Sequence, residues 1–144
     1  MYSSIVVGTD GSGTAQRAVE EAARLAEAVG CELHVVSAFE PLRGAHVRSE
    51  GAAKVGTLAP DAKVQGVVEE AAASARFKGV ATSSHALTGD AADALMEVAE
   101  REGAELIVVG NRGMHGVKRV LGSVPNKVSH QARCSVLIVP TDSG

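Results

Sequence analysis

Short apolar segments alternate with amphipathic segments along most of the chain. Three of the apolar segments are nearly continuous and rich in β-branched residues; they cover Ser4–Gly8, residues 105–110 and residues 135–140. This pattern is typical of strands that are buried on both faces of a parallel sheet. Residues 32–38 have the same character, whereas residues 80–86 are more polar and suit the edge of a sheet. We therefore predict five strands.

The first segment between strands has the period of a helix, about 3.6 residues. Residues 14–29 are charged on one face and apolar on the other, with apolar positions at Ala15, Ala18, Val19, Ala22, Leu25, Ala26 and Val29. Ser12 can cap the start of this helix, and Gly30 can end it. We predict an amphipathic helix that packs its apolar face on the sheet.

Three further segments have the same period and are predicted helices: residues 61–78, 90–102 and 123–131. Gly79 follows the first of them. Asp90 can cap the second and Gly103 can end it. Pro125 is compatible with the third because proline is tolerated in the first turn of a helix.

Strands that alternate with helices are joined by crossovers, which makes the strands parallel. We predict one domain over residues 1–144 with a flavodoxin-like (Rossmann-like) α/β fold. Its five-stranded parallel sheet is doubly wound, in the order 3-2-1-4-5, with helices on both faces. Residues 40–60 interrupt the alternation, since they contain several Gly and Pro residues and show no period. We expect a long connection there, of a kind that is more often functional or disordered than inert.

Composition narrows the possible functions. The 144 residues include 14 Lys and Arg against 17 Asp and Glu, and aromatic residues make up 2%. The chain lacks the basic excess that binds phosphate backbones and the aromatic side chains on which bases stack, so we expect no nucleic-acid partner. No stretch approaches a membrane span, which needs about 18 apolar residues, and the start lacks a charged segment followed by an apolar one. We therefore expect no membrane association and a cytoplasmic location.

The spacing of cysteines and histidines argues against a metal centre. Cys31 and Cys134 form no CxxC pair, which excludes a zinc or thioredoxin-like motif of that type. We expect two reduced, buried thiols, and the sequence leaves a disulfide between them open. The five histidines form neither HxH nor HExxH spacing, so we predict no metal ligands in the protein.

The carboxyl ends of the predicted strands carry the candidate binding residues, because ligands of open α/β sheets bind there, where the strand order reverses. The first strand continues into Gly8, Thr9, Asp10 and Gly11, and the second ends near Ala38. The glycines beside Asp10 leave room for a ligand. The alternative is that Asp10 serves only the turn or the following helix.

Residues 110–123 form a glycine-rich segment after the fourth predicted strand. Gly110 and Gly113 allow a tight turn and a close approach to a ligand. Gly122 and Ser123 precede a helix, whose first N–H groups and partial positive charge favour phosphate. Further candidates in and after this segment are Asn111, Arg112, Met114, Gly116, Val124 and Pro125. No Gly-Lys-Ser/Thr follows the glycines and no Gly-x-Gly-x-x-Gly follows the first strand, which argues against P-loop phosphoryl transfer and NAD chemistry.

Taken together, these blocks resemble the universal stress protein family over essentially the whole chain. The matching blocks are residues 5–12 with the alanine-rich helix after them, 88–90, 103–110, the glycine-rich segment, 122–125 and 134–139. The nucleotide-binding signature of that family is Gly-x2-Gly-x9-Gly-Ser/Thr. Here Gly110-x2-Gly113 is followed by eight residues before Gly122-Ser123, one fewer than the usual form.

The resemblance implies a stress-response sensor or regulator that binds an adenine nucleotide, with ATP the favoured ligand. It places Thr9, Asp10 and Gly11 against the adenosine, the backbone of Ala38 at the adenine edge and Gly110 at the ribose. The residues that it places at the phosphates are Gly113, Gly122, Ser123 and Val124. Magnesium is expected only through those phosphates. The resemblance also implies a homodimer through Ser135–Val139, an apolar strand that needs a cover if it lies at a sheet edge.

Three alternatives stay open at this point. Cyclic AMP is a rival ligand, because related proteins bind it and the shorter spacer suits fewer phosphates. A dimeric interaction module without a ligand is another, in which the glycines serve only the fold. A slow ATPase is the third, but Asp10 is its only candidate general base. The sequence does not show whether Asp10 lies within hydrogen-bond distance of the attacking water. No catalytic residue is predicted.

Overall fold

The computed structural model describes residues 2–39, 62–111 and 124–140. These residues form nine elements in the order β1 (Ser4–Gly8), α1 (Gly13–Val29), β2 (Glu32–Phe39), α2 (Ala62–Phe77), β3 (Thr82–Thr88), α3 (Ala91–Glu102), β4 (Leu106–Gly110), α4 (Val124–Gln131) and β5 (Ser135–Val139). The connection predicted for residues 40–60 and most of the glycine-rich segment lie outside the described residues. None of the described helices has the length and apolarity to cross a membrane.

The five strands are parallel and lie in the order β3-β2-β1-β4-β5, which confirms the predicted topology. From β1 the chain moves outward to β3 on one side and then returns to β4 on the other side of β1. The strand order therefore reverses between β1 and β4. The polar strand β3 lies at an edge, as predicted, but it starts two residues later than expected. The reason is that the Val80 N–H still bonds to the Ala75 carbonyl oxygen of α2, at 3.2 Å.

Helices cover both faces of the sheet, also as predicted. One core contains alternate strand residues such as Ile5, Val7 and Leu33 packed under α1 and α2. The other core contains residues such as Val6 and Ile107 packed under α3 and α4. The buried faces of α1, α2 and α3 are rich in alanine. These small side chains let the helices lie close to the strands.

The predicted helix caps are confirmed. The Ala15 N–H donates to Ser12 Oγ at 3.1 Å at the start of α1, and the Asp93 N–H donates to Asp90 Oδ2 at 3.0 Å at the start of α3. Gly30 and Gly103 end α1 and α3 in the left-handed conformation. Local sequence therefore determined where these two helices begin and end.

The two cysteines are half-buried free thiols. Cys31 packs against the core under α1 and α2, whereas Cys134 packs against the core on the opposite face of the sheet. That arrangement excludes a disulfide between them within one chain. Burial raises the pKa of both thiols, with the nearby Glu105 and Glu32 carboxylates adding to the effect at Cys31. Neither is therefore activated as a nucleophile.

Candidate functional site

A cleft of about 160 Å³ opens at the carboxyl ends of β1, β2 and β4. It lies where the strand order reverses, because α1 leaves β1 over one face and the chain after β4 continues to α4 over the other. Neither crossover covers the strand ends at such a point, which is why ligands of doubly wound sheets bind there. The described lining residues are Gly8, Thr9, Asp10, Ala15, Val36, Ser37, Ala38, Ala91, Leu95, Val109, Gly110, Val124 and Pro125.

The cleft brings together seven of the fifteen residues predicted from the sequence: Gly8, Thr9, Asp10, Ala38, Gly110, Val124 and Pro125. Gly11 and Asn111 are described but do not line it. A Cβ on Gly11 would lie 2.9 Å from Val67 Cγ2 of α2, and the Asn111 N–H donates to the Val139 carbonyl oxygen at 3.0 Å, toward β5. The other six lie outside the described residues: Arg112, Gly113, Met114, Gly116, Gly122 and Ser123.

Sequence reasoning missed six lining residues: Ala15, Val36, Ser37, Ala91, Leu95 and Val109. Three of them come directly before predicted site residues near the ends of strands: Val36, Ser37 and Val109. Their position near a strand end could therefore have identified them from the sequence. Ala91 and Leu95 lie one helical turn apart in α3, which identifies a shared face but not the strand end that it covers. Only the packing of α3 over β1 and β2 places them at the cleft.

The turn from β1 into α1 is held by its own polar groups. The Thr9 N–H donates to the Val36 carbonyl oxygen at 3.0 Å and extends the β1–β2 ladder past Gly8. The Gly11 N–H donates to Thr9 Oγ1 at 3.1 Å, and the Ser12 N–H donates to Asp10 Oδ1 at 2.9 Å. Asp10 thus serves the turn and lines the cleft at once, and a carboxylate accepts several hydrogen bonds.

Gly8 lets α3 approach the end of β1. A Cβ at this position would lie 3.1 Å from Leu95 Cδ1 and 3.2 Å from Leu95 Cδ2, closer than the usual separation of about 3.5–4.0 Å between carbon atoms. Leu95 is 2% exposed and forms an apolar wall of the cleft. The missing side chain at Gly8 therefore shapes the cleft.

Most of the described lining is apolar or small, and Asp10 is the one titratable side chain among these residues. Small side chains at Ala38 and Ala91 and the glycines at both strand ends expose backbone atoms to a ligand. The arrangement suits a flat apolar group with hydroxyls, held by one carboxylate and by backbone hydrogen bonds. Within the described part of the cleft there is no pair of groups for acid–base catalysis.

The start of α4 is tied to α3 beside the cleft. Lys127 Nζ lies 3.2 Å from Asp90 Oδ2 and 3.1 Å from Asp93 Oδ1. Burial raises the pKa of Asp90, but the Asp93 N–H and the Lys127 ammonium together lower it below its ordinary value. Hydrogen bonds to Asp93 and Asp90 raise the pKa of Lys127. These partly exposed ion pairs tie α3 to α4, whose first residues Val124 and Pro125 line the cleft.

Comparison with known proteins identifies the family. The family model "Universal stress protein family" matches residues 1–140. The chain belongs to the universal stress protein family. It is 39% identical over 145 residues to the universal stress protein Rv1636 of Mycobacterium tuberculosis, with 97% of each chain covered. The predicted family is confirmed.

Two solved structures of universal stress proteins are similar to this chain over nearly its full length. One is a universal stress protein in complex with cAMP, with a TM-score of 0.78, 33% identity and 98% of both chains covered. The other is from Archaeoglobus fulgidus in complex with dAMP, with a TM-score of 0.70 and 25% identity, covering 96% of this chain and 98% of that one. The likeness confirms the predicted fold class.

Proposed function

We propose that this universal stress protein binds an adenine nucleotide in the cleft at the carboxyl ends of β1, β2 and β4. The observation that carries the proposal is that the cleft at the strand-order reversal is lined by seven of the predicted residues, which come from the ends of three strands and from the start of α4. The complexes of similar family members with cAMP and dAMP support it, because both ligands are adenine nucleotides.

The chemistry of the lining suits each part of such a ligand. Val36 and Leu95 offer apolar surface to a purine ring, and the small side chain of Ala38 leaves its backbone accessible to the ring edge. The Asp10 carboxylate can accept hydrogen bonds from ribose hydroxyls. Phosphates then extend toward the start of α4, since the first N–H groups of a helix favour negative charge.

ATP is the nucleotide that we propose first. The glycine-rich segment leads into α4 and contains Arg112, Lys118 and Arg119, whose charges favour several phosphates. Cyclic AMP is the second candidate, favoured by the cAMP complex of a relative that is 33% identical and by the eight-residue spacer between Gly113 and Gly122. Magnesium enters only with the phosphates of ATP.

The proposed role is that of a cytoplasmic stress sensor or regulator. Bound nucleotide would alter contacts with partner proteins. We also propose a homodimer through β5. This strand lies at a sheet edge and exposes Leu137, and an apolar edge strand is a ready site for pairing with a second copy.

Calorimetric titration of the nucleotide-stripped protein with ATP, cyclic AMP and GTP tests the proposal. We expect micromolar binding of an adenine nucleotide, at least tenfold weaker in Gly113→Asp. Gly66→Asp is the matched control, since it adds the same charge on the exposed side of α2, where a Cβ meets no atom within 4 Å. Equal affinity for GTP, or equal loss in both variants, would contradict the proposed site. No binding to any nucleotide would favour the interaction module without a ligand.

A further inference from the structure

Two histidines and a glutamate form a cluster away from the nucleotide cleft. One nitrogen from each of His34 and His85 and one carboxylate oxygen of Glu102 all lie within 4.8 Å of one another. None of these residues lines the cleft. The His34 Nδ1 and His85 Nε2 atoms are 3.0 Å apart, although 51 positions separate the two residues in the chain.

The sheet register builds this cluster. His34 of β2 pairs with Ser83 of β3, and Val36 pairs with His85. Because side chains alternate across a strand, residues two positions apart share a face. Both histidines therefore lie on the face that carries Val36, which is covered by α3. The last residue of α3 is Glu102, and its carboxylate reaches the same place.

His34 is the buried member of the cluster. It is 4% exposed, and its Nε2 atom has no hydrogen-bond partner among the described residues. The Glu32 carboxylate oxygen Oε1 lies 3.3 Å from that atom without the alignment of a hydrogen bond. A carboxylate beside one imidazole nitrogen favours the proton there, which leaves the lone pair on Nδ1, the atom that faces His85. With the proton on Nε2, the His34 Nδ1 atom accepts the hydrogen bond from His85 Nε2. A cation bound between these two nitrogens would replace that hydrogen bond, and the proton of His85 would shift from Nε2 to Nδ1. Metal-bound histidines likewise carry their proton on the ring nitrogen that does not face the metal.

We propose that His34 Nδ1, His85 Nε2 and the Glu102 carboxylate form a binding site for a divalent transition cation, with Zn²⁺ the first candidate. Zinc binds imidazole at about 2.0–2.1 Å in tetrahedral geometry, which sets two ligand nitrogens about 3.3–3.4 Å apart. The observed 3.0 Å needs an opening of only a few tenths of an ångström. Two imidazoles and one carboxylate suit zinc, whereas Ca²⁺ and Mg²⁺ prefer oxygen ligands.

Two features bear on whether these groups are available to a cation. Burial lowers the pKa of His85, and His34 and Arg101 lower it further against an opposite effect of Glu102. The Arg101 guanidinium competes with a cation for His85 and Glu102. Its Nη2 atom lies 3.5 Å from His85 Nδ1, and its Nε atom lies 3.8 Å from a Glu102 oxygen. Its Nη1 atom is also paired with Glu97 at 3.6 Å, which can hold the guanidinium when Glu102 turns to the cation.

The test uses the full chain in a Cys31→Ser/Cys134→Ser background, because thiols bind zinc themselves. Calorimetric titration with Zn²⁺ is compared with the visible spectrum of the Co²⁺ form, whose intensity reports tetrahedral coordination. We expect one high-affinity Zn²⁺ per chain, bound at least tenfold more weakly in His85→Gln and in Glu102→Gln. Arg101→Gln is expected to strengthen binding severalfold, because it removes a competing cation.

Matched controls are His130→Gln, a histidine on the exposed side of α4, and Glu27→Gln, a glutamate on the exposed side of α1; both positions lie outside the cluster. Circular dichroism verifies that each variant folds, and Glu102 is an exposed surface position whose change leaves the core intact. Zinc affinity that is equal in the parent, His85→Gln and Glu102→Gln would overturn the proposal, as would the absence of Zn²⁺ binding. Neither outcome affects the proposed nucleotide site, which shares no residue with the cluster.

Discussion

Gly11 is the position at which the turn between β1 and α1 is most sensitive to a single methyl group. Its φ is +85°, and a Cβ there would lie 2.9 Å from Val67 Cγ2 and 3.3 Å from Val67 Cγ1. Alanine at this site meets two separate costs. The left-handed backbone costs about 1–2 kcal/mol, and overpacking against Val67 costs about 1–3 kcal/mol. We expect Gly11→Ala to lower the free energy of unfolding by about 2–5 kcal/mol, the sum of the two ranges.

Two other glycines separate these costs. Gly30 also has a left-handed φ of +73°, but a Cβ there meets nothing within 4 Å. Gly30→Ala therefore carries only the backbone cost, about 1–2 kcal/mol. Gly13 starts α1 with no left-handed φ and open space, so Gly13→Ala is expected to stabilise by up to about 1 kcal/mol. In a Val67→Ala background the cost of Gly11→Ala should fall to that of Gly30→Ala.

Urea unfolding of the nucleotide-free variants, followed by circular dichroism, gives the free energies. The reasoning is refuted if Gly11→Ala costs no more than Gly30→Ala, or if Val67→Ala leaves the cost unchanged. Nucleotide titration of the same variants adds a second test. Gly11 is not among the described lining residues, so folded Gly11→Ala should retain the affinity of the parent protein. A specific loss of affinity would show that Gly11 contacts the ligand after all.

Three further predictions concern the walls of the cleft and the sheet edge. The pKa of Asp90 is lowered overall, although burial raises it, by the N–H of Asp93 and by Lys127; its carboxylate therefore stabilises the fold above its ordinary pKa, about 4. The advantage of the parent over Asp90→Asn in urea unfolding should disappear as the pH falls below that value, and an advantage constant down to pH about 2 would contradict the assignment. Leu95→Ala should cost about 2–5 kcal/mol in the same assay, since the side chain is 2% exposed; a cost below about 1 kcal/mol would mean that α3 packs differently. Leu137→Lys should shift sedimentation toward the monomer if β5 pairs with a second copy, whereas unchanged sedimentation of a dimeric protein would place the interface elsewhere.

The fold and part of the site followed from local patterns. The apolar run at Ser4–Gly8, the caps at Ser12 and Asp90 and the alternation of elements depend on interactions between residues close in the chain. The predicted start of β3 was wrong by two residues, because the Val80 N–H bonds to a carbonyl oxygen of α2 rather than to the sheet. That choice depends on how tightly the turn after α2 closes, which the polar character of the segment does not show.

What the sequence by itself determined is the order of strands and helices and the glycine and aspartate residues at the strand ends, because periodicity, capping and glycine content act within a few residues. Only the tertiary structure decided which distant groups meet. Leu95 reaches the cleft because α3 packs over the end of β1, and Gly11 lies against Val67 because α2 packs beside the turn after β1. His34 and His85 meet because two strands pair in one register. Register and packing are set by the burial of the whole sheet, so no short motif records them.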